Sequence, residues 1–441
     1  MKSGQVMIIG GGLAGCEAAW QLLRRGHKVH LYEMKPQRFS PAHKTERLAE
    51  LVCSNSLKSN QPDSAPGLLK EEMRRLNSLI LSAADQTAVA AGSALAVDRN
   101  EFSRRVEEQL LGCEGFSLHR TEITDIPQNG MTIIATGPLT SDALAQSISR
   151  MLGKSSYLYF YDAIAPIVEA DSIDMNKAFW ASRYDKGTPD YLNCPLSREE
   201  YQRFREALLA GGKVAARPFE DMRHFEGCLP IEILAARGEE TLAFGPMKPV
   251  GLIHPQTRKM AYAVVQLRRE NSAGTLFNLV GFQTKLTWPE QERIFRMIPG
   301  MEHAQFARMG SIHRNTYIHS PSLLLPSLQF RSNPDVFFAG QISGVEGYME
   351  STAMGLLAGL NAALILEGKS PAVPPFETAI GALAHYITSP ESADNFQPMN
   401  IHFGILPPAA TPRMKKKERH LFCVQRSLQA LVDWMQVQGL P

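Results

Sequence analysis

Cysteine is scarce in this sequence, with six among 441 residues, and Cys16, Cys53, Cys113, Cys194, Cys228 and Cys423 stand far apart. No CxxC pair occurs and no histidines gather at ligand spacing, so neither a metal site nor a disulfide framework is expected. Thiols in such a setting are mostly small buried hydrophobes, and only special surroundings single one out for chemistry. An excess of one charge is also missing: 46 Lys and Arg face 44 Asp and Glu, a net charge of +2. So small a field cannot steer a polyanion, and a nucleic-acid partner has to be held by a local cluster of cations. An unbroken apolar run of about 18 residues is absent, which predicts no membrane span. The start, MKSGQVMIIGGG, is interrupted by glycines and followed by no small-residue cleavage site, so it reads as a strand, not a secretion signal. There is no internal repeat and no low-complexity tract. What these absences leave is an ordinary globular protein expected in the cytoplasm, with 44% hydrophobic residues and room for two or three domains at about 150 residues each.

The first thirty-odd residues spell a βαβ unit: a strand from Val6 to Ile9, a glycine turn, a helix to about Arg25 and a second strand from Lys28 to Glu33. The turn Gly10-Gly11-Gly12-Leu13-Ala14-Gly15 matches GxGxxG. In that pattern the first glycine permits the tight turn, the second lets the backbone approach a pyrophosphate, and the third lets helix and strand pack closely. Phosphates then sit at the helix N-terminus, where free N–H groups and the helix dipole favour negative charge. Glu33 ends the second strand, the place where a carboxylate receives ribose hydroxyls. A glycine turn that binds nothing is the plainer reading, and the agreement of strand, helix and carboxylate outweighs it.

Two later glycine turns, Ala135-Thr136-Gly137 and Ala339-Gly340, favour FAD over NAD, because similar turns close on the far side of the cofactor in folds of the glutathione-reductase type. No second GxGxxG is present, so a nicotinamide cofactor has to bind transiently. Tyr348 is a candidate to stack on the isoalloxazine ring, although a core aromatic on a helix fits the pattern equally. Residues 67 to 82 show helical spacing of apolar side chains, another helix follows Asp98, and Met131 to Gly137 reads as a buried strand ending in a turn. From about Ser156 to Gly310 the texture shifts to β-type runs between charged loops. The expected class is therefore α/β: a Rossmann-like FAD-binding fold of the glutathione-reductase type, interrupted by an inserted α+β domain. The expected division is 1–155 and 311–370 for the two parts of the FAD-binding domain, 156–310 for the insertion, and 371–441 for a C-terminal helical segment.

Seven blocks make the chain recognisable: VCSNSLKS, PGLLKEEMRR, DYLNCP, FEGCLPIE, FGPMKPVGL, HRNTY and FQPMNIHFG. In this order and over nearly the whole length they resemble the TrmFO family of folate- and FAD-dependent tRNA uracil-5-methyltransferases. The resemblance implies that methylenetetrahydrofolate supplies a one-carbon unit, FAD carries it, NAD(P)H supplies reducing equivalents, and C5 of uridine 54 in a tRNA T-loop receives it. Uracil C5 is a poor nucleophile until something adds at C6, and a thiolate suits reversible addition there. By resemblance Cys228 is that nucleophile and Cys53 assists at C5 or guards the flavin-bound carbon, with Cys194 as a competing third thiol. Lys248 could hold folate glutamate or phosphate, or be a solvated loop lysine. Arg314 and Asn315 suit flavin carbonyls or phosphate, or a buried network between domains.

The densest basic run is Arg413, Lys415, Lys416, Lys417 and Arg419, with the three lysines as candidate phosphate contacts or merely a solvated helix face. The target uridine has to leave the T-loop to react. The same chemistry on ribosomal RNA, and a small-molecule flavin oxidoreductase without an RNA partner, stay open as alternatives.

Overall fold

The structure is a computed structural model, and it describes residues 5–152, 157–185, 188–214, 229–394, 396–408 and 415–440. Its first sheet has six strands in the order Gln329–Phe330, Asn333–Phe338, Met131–Ile134, Gln5–Ile9, Lys28–Tyr32 and Phe116–His119. All neighbours run parallel except the first pair. Gln5–Ile9 is buried at Val6, Ile8 and Ile9, the apolar content required of a strand covered on both faces. From this strand the chain winds outward through Lys28–Tyr32 to Phe116–His119, then restarts on the other side at Met131–Ile134. That reversal is the switch point, and ligands of open α/β sheets bind beyond the carboxyl ends of the strands that flank it.

Two helices lock together on one face of this sheet, Leu13–Leu23 and Tyr348–Leu366. Small residues let their backbones meet: a Cβ on Gly355 would lie 2.3 Å from the Ala14 carbonyl oxygen, and one on Gly359 would lie 2.6 Å from that of Ala18. Tyr348–Leu366 has the length and composition of a membrane span, although its apolar run is interrupted by Glu350 and Asn361. Its most apolar 18 residues have a mean hydropathy of 1.4, enough to cross a bilayer, yet 89% of them are buried inside the protein. The helix is apolar all round because protein surrounds it.

The second sheet is antiparallel and holds Phe179–Ala181, Tyr191–Leu196, Ala263–Arg269, Leu276–Leu279, Ile167–Glu169 and Phe306–Arg308 in that order. It has a core of its own around Leu192, Phe204, Val265, Phe282 and Phe295. The chain passes out to it along Tyr157–Ile164 and returns along Ser311–Ile318, which pair antiparallel with Ile164 opposite Ser311. This is the interrupted α/β fold expected from the change in texture.

The helix expected over residues 67 to 82 is two helices, Ala65–Arg75 and Leu79–Gln86. Asn77 between them takes φ +57°, and the Ser78 hydroxyl accepts the Leu81 N–H at 3.2 Å, starting a new helix. The C-terminal helix, Lys416–Gln438, is tied back to the first of these by Ser427, whose hydroxyl donates to the buried Glu72 carboxylate at 2.5 Å. The same carboxylate accepts the N–H groups of Ala379 and Ile380 at 2.7 and 2.9 Å, capping the helix Ala379–Thr388.

Candidate active site

A cleft opens at the switch point, with about 1010 Å³ of empty space counting its mouth. The turns after the two central strands form its floor. Gly10 takes φ +106° and donates to the Tyr32 carbonyl at 2.8 Å, and a Cβ there would lie 2.5 Å from the Ala135 carbonyl oxygen, so nothing larger fits where the turns cross. Gly15 does not line the cleft; its Cβ would lie 1.9 Å from the Gly10 carbonyl oxygen, which makes it the close-packing glycine. Gly11, Gly12, Leu13, Ala14, Glu33, Gly137, Gly340 and Tyr348 all border the cleft with Gly10.

The residues fit a dinucleotide. At Gly12 and Gly137 an added Cβ would meet no protein atom within 4 Å, so side chains there would project into the cleft where a phosphate or ring has to lie. Gly12 starts the helix Leu13–Leu23 without any side-chain cap, and Gly347 does the same for Tyr348–Leu366. The Gly12 terminus, with its free N–H groups and the positive end of its dipole, opens on the cleft, whereas the Gly347 terminus is filled by Glu350 and Lys58. Glu33 is 7% exposed. Its carboxylate accepts the Gly11 N–H at 2.9 Å and the Lys35 N–H at 3.0 Å, and each oxygen keeps a lone pair for a hydroxyl donor.

Tyr348 links the cleft to Cys53. Its phenol oxygen accepts the backbone N–H groups of Cys53 at 2.7 Å and Ser54 at 3.3 Å. Burial, and then the neighbouring Cys53, push its ionisation well above the ordinary tyrosine range, so the hydroxyl stays protonated. The loop is held from the other side by the second sheet: Arg268 donates to Asn55 Oδ1 at 3.1 Å and Ser54 Oγ at 2.6 Å, while Asn55 donates to the Arg269 carbonyl at 2.9 Å. Arg99 bridges the same junction, donating to Glu270 Oε2 at 2.8 Å and to the Leu51 carbonyl. Arg99 and Arg268, which hold this junction, and Arg308 are cations within electrostatic reach of Cys53.

The other thiols are placed differently. Cys194 is fully buried in Tyr191–Leu196, and burial pushes its thiol up to about 12. Cys16 is buried and pushed up in the same way, Cys113 bonds the Gln109 carbonyl at 3.2 Å, and Cys423 is 4% exposed. Cys228 lies outside the described residues, as does Arg413. Lys415 is the N-cap of the C-terminal helix. It and Lys417 are exposed, whereas the Lys416 side chain lies outside what is described. Lys248 is exposed, and Asn315 is buried. The FQPMNIHFG block folds back beside the strand Ser56–Ser59 that follows the Cys53 loop, with Asn400 Oδ1 accepting from Lys58 Nζ at 2.7 Å.

Sequence reasoning missed His43 and Glu50 on the cleft wall and the arginines at 99, 268 and 308. One signal was available: Arg268-Arg269-Glu270 closes the apolar strand AVVQL, and charges at the end of a buried strand ask for partners.

This geometry places the protein in the class of FAD-binding Rossmann-type proteins. A model of the family Glucose inhibited division protein A matches residues 5–370. Among solved structures, Aquifex aeolicus GidA superimposes with a TM-score of 0.71 over 98% of this chain and 73% of that one, at 17% identity, a likeness of fold. Much nearer in sequence is a protein of Syntrophus aciditrophicus named "Methylenetetrahydrofolate--tRNA-(uracil-5-)-methyltransferase TrmFO", 60% identical across 98% of each chain. Its namesake from Geobacter sulfurreducens is 59% identical over 98% of this chain and 99% of that one. The chain belongs to this TrmFO family.

Proposed function

We propose that the protein methylates tRNA at C5 of uridine 54 in the T-loop, using methylenetetrahydrofolate as one-carbon donor and NAD(P)H as reductant. The observation that carries this reading is Cys53, whose backbone N–H is held at 2.7 Å by the hydroxyl of Tyr348, a residue that lines the dinucleotide cleft. The names of the relatives supply the substrate class. When bound, FAD would supply the carrier for the one-carbon unit and the store of reducing equivalents. Gly10 to Gly15, Glu33, Gly137, Gly340 and Tyr348 would hold it, with pyrophosphate at the Gly12 helix terminus. Cys228 adds to uracil C6 and makes C5 nucleophilic. Cys53 assists at C5 or guards the flavin-bound carbon. The lysines at 415, 416 and 417 contact phosphate; exposed cations at a helix start work against the dipole, and a phosphate nearby would relieve that conflict.

The test is trapping. The parent enzyme should form a covalent complex with a T-arm RNA carrying 5-fluorouridine, Cys228→Ala should lose the complex, and Cys53→Ala should lose methyl transfer while keeping its flavin. Offering ribosomal RNA in parallel separates the two RNA substrates. A parent that methylates neither RNA and turns over only NAD(P)H would leave the small-molecule oxidoreductase as the better reading.

A further inference from the structure

Between Thr241 and Arg269 the sequence contains no Asp or Glu, yet it carries Lys248, Arg258, Lys259, Arg268 and Arg269. Arg268 and Arg269 belong to the strand, whereas Lys248, Arg258 and Lys259 are exposed, and no ion pair of theirs occurs among the described residues. Apolar side chains are exposed among them, with Phe244 at 76%, Ile253 at 58% and Met260 at 56%. Tyr184 joins this surface from a separate part of the chain. It is 61% exposed and holds φ +60° and ψ +26°, a left-handed conformation that a bulky side chain adopts only when its surroundings impose it. The Tyr184 N–H donates to the Gly251 carbonyl at 2.7 Å. A Cβ on Gly251 would lie 3.1 Å from each of three ring atoms of Tyr184. Equal distances to Cδ1, Cδ2 and Cε1 mean that the ring lies flat over Gly251, so one face is backed by peptide and the other is turned outward.

Arg183, next to this ring, donates to the Val250 carbonyl at 2.8 Å and to Gln266 Oε1 at 2.9 Å. Gln266 and Arg268 sit two residues apart on one strand and so share a face, roughly 7 Å apart. Arg268 in turn grips Ser54, beside Cys53. The Arg183 guanidinium therefore lies on the face of the second sheet from which Arg268 grips the Cys53 loop, and Tyr184 is its chain neighbour, without bordering the cleft itself.

From this placement we propose that Tyr184 is a stacking platform for a nucleobase of the RNA substrate next to the reacting uridine, with Lys248, Arg258 and Lys259 receiving the adjoining phosphates. The proposal rests on the tRNA reading above. Stacking on an aromatic face and spread cations are the two elements by which proteins hold single-stranded nucleic acid. A folate ring could also stack on tyrosine, but a reactant that meets the cofactor needs the cleft wall, and this ring opens to solvent.

The experiment measures binding of an unmodified tRNA transcript and steady-state methylation by the flavin-loaded parent, Tyr184→Phe, Tyr184→Ala and the triple variant K248A/R258A/K259A. Tyr184→Ala should weaken RNA binding about tenfold and raise the KM for RNA, with kcat, the KM for methylenetetrahydrofolate and flavin content unchanged. Tyr184→Phe should behave as the parent. The triple variant should lower the log–log salt slope by about 2 to 3. An unaltered RNA affinity in Tyr184→Ala, or a raised KM for the folate in place of the RNA, overturns the platform while the parent still methylates tRNA. A parent that methylates no tRNA overturns the underlying reading and the platform with it.

Discussion

The glycine turn and the Cys53 loop lie at one cleft but are built by different means. At the turn the backbone itself does the work: Gly10 and Gly15 are required because atoms of the same βαβ unit and its neighbouring turn come within 2.5 and 1.9 Å of where a Cβ would be. At the loop, side chains from remote segments do it. Tyr348 comes from the long buried helix and Arg268 from the second sheet, and Arg99 and Glu270 span the junction with Glu270 only 3% exposed. A site made of backbone tolerates no added atom, whereas a site made of side chains fails when one partner is deleted.

Substitutions within the turn give the largest contrast. Gly15→Val forces a side chain against the Gly10 carbonyl and should yield little folded protein, since neither helix nor strand can retreat. Gly12→Leu faces no protein atom within 4 Å, so it should fold with the thermal midpoint of the flavin-free parent and carry no flavin absorbance. Folded, yellow protein from Gly15→Val would erase the distinction between a packing glycine and a cradle glycine.

Deleting one partner across the junction should cost less. Arg99→Ala leaves the Glu270 carboxylate buried and unpaired, which typically destabilises by roughly 3–5 kcal/mol. It also frees the Leu51 carbonyl and loosens the Cys53 loop. Methyl transfer should fall further than flavin binding, and urea denaturation together with single-turnover methylation would measure the split. Equal losses of flavin and activity would mean that the junction serves the whole fold and not the loop.

The smallest effect concerns Glu72, far from the cleft, where the buried carboxylate caps Ala379–Thr388 and holds Ser427. Burial raises its pKa from 4.5 to about 7. A raised carboxyl pKa means that the folded state binds the proton more tightly, so the stabilisation is complete below about pH 4.5 and is lost as pH rises towards 7. The full span is at most about 3 kcal/mol. Glu72→Gln should flatten the fall in thermal midpoint between those pH values without changing flavin content. A parent whose midpoint is constant over that range would refute the assignment.

Much of the fold could be read from sequence because its signals are local. The strand, turn and helix around Gly10–Gly15, the carboxylate at Glu33 and the returning glycine turns each occupy a few adjacent residues, and βαβ geometry converts them directly into a cleft. Local periodicity misled at residues 67 to 82, where one positive φ at Asn77 and the Ser78 cap divide a continuous apolar pattern. It also could not show that Tyr348–Leu366, apolar enough for a bilayer, is enclosed by protein.

By itself, then, the sequence determined the dinucleotide cleft, the interrupted sheet and the family, because short-range backbone geometry and seven ordered blocks need no knowledge of distant contacts. Tertiary structure alone decided which thiols are accessible, sealing Cys194 in a strand and fastening the backbone of the half-buried Cys53 to the hydroxyl of Tyr348, 295 positions away. It alone turned the Tyr184 ring outward over Gly251. Burial and electrostatics depend on what packs against a residue, and the partners here stand tens to hundreds of positions away, as with the separation of 214 between Ser54 and Arg268.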